Sequence, residues 1–177
     1  IGTSTTVTVT VNNVVTGTDV SGWTITQANA AITYTVPTGT VIPANGYLVL
    51  GREATKAQFQ TFWGVTLASN VIYLTTSAGS FPQINGSENY TLRNASGTVI
   101  DGPTISMSSA ASQDLRRKDP CRAAGTATRW TIGAQTLANP GSGAGAGCGK
   151  GVVINEFADA AGTGNFIYEF IELHNDR

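Results

Sequence analysis

Residues 151–177 read GVVINEFADAAGTGNFIYEFIELHNDR, and the fold is decided there. Two runs have the pattern of strands, Val152–Phe157 and Phe166–His174, joined by a loop of Gly, Ala, Asp and Asn. Strict alternation puts Val153, Asn155 and Phe157 on one face of the first run and Val152, Ile154 and Glu156 on the other. In the second run Ile167, Glu169, Ile171 and Leu173 alternate with Phe166, Tyr168, Phe170, Glu172 and His174. β-Branched and aromatic residues favour strand, and Gly162 and Gly164 favour the turn. Two strands cannot bury two apolar faces by themselves, so this hairpin needs a larger sheet to join.

Which sheet it joins is the central question for the rest of the 177 residues. Hydrophobic residues make up 41%, enough for a packed core, whereas charged residues make up only 12%, about half the usual globular share. Abundant Thr and Gly suit an exported β-protein with Thr-coated strands. A net charge of -1 disfavours nucleic acid and anionic membrane as partners. No apolar run is long enough to span a bilayer, and no signal peptide is present, although a processed chain would have lost one. The chain has two cysteines, Cys121 and Cys148, too few for a structural zinc site. They read as a disulfide, with free thiols as the other possibility. Such a bridge is worth roughly 3–4 kcal/mol in the chain-entropy model and implies an oxidising compartment.

Thr6–Val15 (TVTVTVNNVV) alternates strictly, Val7, Val9 and Val11 inward and Thr outward. Further strands are expected at Ser21–Thr26, with Trp23 and Ile25 on one face, and at Ala31–Val36, Tyr47–Leu50, Val71–Thr75, Ser87–Arg93 and Thr98–Ile100. Turn signals at Gly17-Thr18-Asp19, Pro43–Gly46, Asn85-Gly86 and Asn94–Gly97 separate them. Arg52–Trp63 is the one helical stretch; it is stopped by Gly64 and short enough to plug one end of a β-structure. From Ser106 to Asn139 the pattern loosens, with a last short strand at Trp130 and Ile132. Short strands and turns at this spacing predict an all-β sandwich with one short helix. The chain divides into a body, 1–140, a Gly/Ala/Ser-rich linker, 141–150, and the strand pair, 151–177.

Taken together, these segments resemble the lamin-tail domain family, an immunoglobulin-like β-sandwich. The resemblance rests on Val152–Phe157 (VVINEF), Phe170–Asn175 (FIELHN), Val20–Ile25 with its SGW, Pro43–Leu50, the turn Asn94–Asp101, and Trp130 through Pro140-Gly141. It covers most of the chain, and INEF, FIELHN and VSGWTIT are its most specific parts. The order departs from the family: its opening strand pair stands last here, as if the domain were circularly permuted. Three arrangements fit this order. The hairpin closes its own sandwich, or it begins the next repeat of a tandem array, or it completes the sandwich of a neighbour. The linker spans about 17–20 Å as a coil, so it reaches either way. An end at Arg177 suggests trypsin-like processing of a longer precursor, which suits head-to-tail strand exchange.

Candidate chemistry is sparse. Glu156, Glu169, Glu172 and His174 are the nearest approach to a catalytic set, but the resemblance places Glu156 and Glu172 in a strand pattern where such acids face solvent or anchor backbone. The single His and the lack of a Gly-x-Ser-x-Gly elbow leave no nucleophilic triad. Asp159–Asn165 (DAAGTGN) could ligate Ca²⁺, yet it lacks the carboxylate density of an EF-hand loop and reads as a turn. Arg116-Arg117-Lys118, flanked by Asp114 and Asp119, reads as a solvated loop, and Trp23, Trp63 and Trp130 as core packing. The glycines at 143, 145, 147 and 149 lack the flanking strand and helix of a phosphate loop.

No cofactor or metal is therefore implied, and no enzyme activity. The expected function is structural: a secreted or cell-surface filament subunit whose partners are copies of itself. On the donor side the contact residues are Val152, Val153, Ile154, Phe157, Phe170, Ile171 and Leu173. The acceptor groove is expected to use Val7, Val9, Val11, Trp23 and Ile25. The alternative is a module that tethers a secreted enzyme such as a nuclease, as the resemblance allows.

Overall fold

The computed structural model describes residues 17–28, 30–106, 112–145, 147–162 and 164–177. Val7, Val9, Val11 and the rest of the expected first strand lie outside them. The protein is all-β, an immunoglobulin-like sandwich with one short α-helix. Its strands are β1 (Thr18–Asp19), β2 (Thr24–Gln27), β3 (Thr33–Thr35), β4 (Val41–Ile42), β5 (Tyr47–Arg52), β6 (Val71–Thr76), β7 (Tyr90–Arg93), β8 (Val99–Asp101), β9 (Gln113–Arg117), β10 (Trp130–Ala134), β11 (Val152–Ala158) and β12 (Phe170–Asn175). One sheet runs β10-β9-β11-β12-β5-β6, the facing sheet β3-β2-β7-β8, and β1 pairs with β4 at the side.

The core lies between the two large sheets. Ile25, Tyr34, Tyr90 and Leu92 from one side meet Leu48, Leu50, Leu115, Trp130, Ile154, Phe157, Ile171 and Leu173 from the other. A second cluster covers the outer face of the six-stranded sheet, where Phe59 of helix α1 (Lys56–Trp63) packs with Val49, Val71, Ala158 and Phe170. Strand β5 is therefore apolar on both faces, which explains its unbroken run Tyr47–Leu50.

Helix α1 differs from the expectation at its start and in its role. Thr55 caps it: the Thr55 side chain accepts from the Gln58 N–H, and Gln58 Oε1 accepts from the Thr55 N–H at 3.0 Å. Arg52 consequently belongs to β5. Gly64, in the left-handed region at φ 65°, ends the helix as expected. Rather than plugging an end, α1 lies across the outer face as the crossover between the parallel strands β5 and β6. Gly51 is required beneath it. A Cβ there would run into the Tyr73 hydroxyl, and that hydroxyl donates to the Ala54 carbonyl at 2.8 Å.

Two other readings change. Arg116 and Arg117 stand on strand β9, not on a solvated loop, and Arg117 is 1% exposed. The run QDLRR hid this strand, because its charged side chains find partners inside the fold. Residues Phe166–Tyr168 form a 3-10 turn, so the second hairpin strand begins only at Phe170. The disulfide between Cys121 and Cys148 is present, with Cα atoms 5.8 Å apart. Among the described residues no helix is long and apolar enough to cross a membrane.

Candidate functional site

The hairpin β11–β12 follows in sequence almost everything it touches, yet it fills the centre of the larger sheet. Strand β11 pairs antiparallel with β9 through Glu156, Phe157 and Ala158. Strand β12 pairs antiparallel with β5 from Phe170–Gly51 to His174–Tyr47. Without the pair, the sheet falls into β10-β9 on one side and β5-β6 on the other, with a slot two strands wide between them.

Val152, Val153, Ile154, Phe157, Phe170, Ile171 and Leu173, the expected donor residues, are all at most 2% exposed. Their facing differs from simple alternation. The β11–β12 register shifts between Ile154 and Glu156, a bulge that inserts Asn155 and turns Phe157 to the same face as Val152 and Ile154. Phe157 is thereby delivered into the core, edge-on to Tyr90 at 5.0 Å and Trp130 at 5.4 Å. Phe170 faces the other way, edge-on to Phe59 at 5.5 Å and Trp63 at 5.2 Å. Val153 is buried in neither cluster. Of the expected acceptor residues, Ile25 is in the core with the hairpin and Trp23 packs at its margin. The walls of the slot, Leu48, Leu50 and Leu115, came from strands whose partners are far away in sequence.

Polar groups seat the backbone of the hairpin. On the β9 side the ladder stops at Glu156, which leaves the N–H and C=O of Ile154 without a strand partner. The Ile154 N–H donates to Asp101 Oδ2 at 3.0 Å, and its carbonyl accepts from Arg117 Nη1 at 3.2 Å. Arg117 and Asp101 are themselves a buried ion pair at 2.8 Å, and the guanidinium sits over Trp130. Arg117 also donates to the carbonyls of Asp119 and Arg122. Lys150 reaches the second Asp101 oxygen at 3.1 Å.

At the far end of β12, the Asn175 amide donates to the carbonyls of Ile42 and Pro43 at 3.1 and 3.2 Å and accepts from the Thr18 hydroxyl. His174 Nδ1 lies 3.1 Å from the Gly46 carbonyl, to which it can only donate, and burial lowers the pKa of the ring. The Asp176 carboxylate accepts from the backbone N–H groups of Gly151 and Cys148 at 2.5 and 3.1 Å.

On the outer face Glu156, Glu172 and Asp114 form a buried carboxylate group. Glu156 accepts from the Asn139 N–H at 2.9 Å; Glu172 accepts from the Gly141 N–H and from the Asn155 amide at 2.7 Å. These acids thus anchor the backbone of the segment leading to the hairpin. Burial pushes Glu172 up to about 8 and Asp114 up to about 6, the latter opposed by Arg116 at 2.6 Å. Glu156 is raised by burial and by its two acidic neighbours. Glu169 stands apart, paired with Arg52 at 3.1 Å; burial raises it to about 7.

The loop Asp159–Asn165 turns as expected, with the Asn165 N–H donating to the Gly162 carbonyl. Asp159 Oδ2 accepts from the Ser112 N–H at 2.8 Å. Among the described residues no three His, Cys, Asp or Glu side chains are arranged to hold a metal ion. No family model, curated protein or solved structure matches the chain.

Proposed function

We infer that the protein is a structural, non-catalytic subunit of an extracellular or cell-surface filament, assembled by β-strand complementation between copies. One observation carries this reading: a strand pair late in the sequence occupies the middle of the sheet, joined to the body by a glycine-rich segment. Every contact that seats the hairpin is equally available to the same hairpin from a second copy, so exchange costs no pairing. Burial of its apolar side chains, at roughly 1.5–3 kcal/mol each, makes an exchanged contact slow to dissociate. The low charge, the disulfide and the lamin-tail resemblance support an exported β-protein of this kind.

The test starts from reduced, unfolded chain, refolded and oxidised at high concentration. Sedimentation and electron microscopy should show elongated particles, and a chain ending at residue 150 should give none. Adding residues 151–177 as a separate peptide should restore the tryptophan fluorescence of the truncated body, showing that the slot is competent. Refolding to monomer alone would defeat the filament reading. It would favour a tethering module, which the closure of the hairpin on its own body also suits.

A further inference from the structure

We propose that the partner of Cys148 in the assembled filament is Cys121 of the adjacent copy, so that the cysteine pair closing the single chain becomes the covalent bond between subunits. This inference rests on the filament reading and adds the bond chemistry to it.

The first support is that Cys148 travels with the hairpin. Its N–H is held by the Asp176 carboxylate, which also holds the Gly151 N–H. Cys121 belongs to the body, in the turn between β9 and β10, where its N–H donates to Asp119 Oδ1 at 3.0 Å. A hairpin seated in another copy brings its own Cys148 to that copy's Cys121, in the geometry that gives a Cα separation of 5.8 Å here.

The second support is reach. From Cys148 to Val152 an extended chain covers at most ~14 Å. The six-stranded sheet is ~24 Å wide at a strand spacing of ~4.8 Å. A hairpin seated in a second copy carries Cys148 with it, within that ~14 Å of Val152, and so away from the Cys121 of its own body. With that bond open, the chain from Ala138 to Cys148 extends to ~35 Å, beyond the sheet edge. Exchange therefore requires the bond within the chain to open, and seating in a second copy brings the two sulfurs together again.

Both cysteines are exposed to a small thiol. Cys148 Sγ lies 3.5 Å from Asp176 Oδ2, a carboxylate that disfavours negative charge on that sulfur. The thiolate of the small thiol attacks the Cys148 sulfur; that S–S bond forms, the bond to Cys121 breaks, and Cys121 leaves as thiolate. The hairpin then moves, carrying the mixed disulfide. The Cys121 thiolate of a second copy, vacated in the same way, attacks the Cys148 sulfur and expels the small thiolate. One protein disulfide opens and one forms, and the thiol is regenerated with no net oxidation.

Isotope mixing tests this. Unlabelled and ¹⁵N-labelled protein are mixed in equal amounts, assembled with a small thiol, alkylated, and digested with trypsin. The bond then joins residues 119–122 to residues 130–150. In elongated material, peptide pairs with one light and one heavy partner should make up about half of the linked species, and SDS without reductant should leave a ladder. Elongated material holding only same-label pairs overturns the covalent bond and leaves the filament reading intact. Absence of elongated material from both the native chain and a C121S/C148S variant overturns the two together.

Discussion

Arg117 shows how a single side chain replaces a missing stretch of ladder. Its guanidinium and the Asp101 carboxylate take the two Ile154 backbone groups that β9 leaves free. Removing one member of a buried ion pair strands the other. Arg117→Ala should therefore destabilise the fold by about 3–5 kcal/mol in denaturant titration. An Asp101→Leu/Arg117→Met double variant should recover part of that loss, because no charge stays buried alone. The buried acids set the response to pH. Glu172, Glu169 and Asp114 have folded pKa values raised to about 8, 7 and 6. The native state thus holds protons that the unfolded chain has already released. Their contribution is fully present below the ordinary carboxylate range and is lost as pH rises through the folded values. Melting temperature should fall between about pH 5 and pH 8, and Glu172→Gln should flatten that slope.

At the level of elements, the bulge at Asn155 governs what β11 delivers. It turns Phe157 inward against Tyr90 and Trp130, and Phe157→Ala should cost about 3–5 kcal/mol in the same titration. Most of the elements could be read from the sequence. The strands VVINEF and FIELHN, the turn at Asn94–Gly97 and the Gly64 helix stop all stand where their residues indicate. Period-two counting could not foresee the bulge, since an inserted residue inverts every later facing and leaves no mark in composition. Strand β9 escaped because Asp114, Arg116 and Arg117 look solvated until their buried partners are placed. Arg116 pairs with Asp114 on the same strand, but Glu156 beside Asp114 and Asp101 beside Arg117 come from distant elements.

Taken whole, the molecule is held by pairings remote in sequence, such as Phe170 with Gly51. That remoteness is why the hairpin's need for a sheet was legible and its neighbours in that sheet were not. The disulfide, at a sequence separation of 27, adds a constraint of the same range. Its removal in the C121S/C148S monomer should lower stability by about 3–4 kcal/mol, measured by thermal or urea unfolding.

The central position of β11 and β12 also bears on how the protein is made. Ribosomes release β5 and β9 long before the two strands that must lie between them. Until then, both edges expose main-chain groups and apolar flanks, so the nascent polypeptide cannot complete its sheet before its last strand is made. Delayed closure of this kind leaves the larger sheet in two halves until synthesis is nearly finished. It also gives chaperones an open edge to hold.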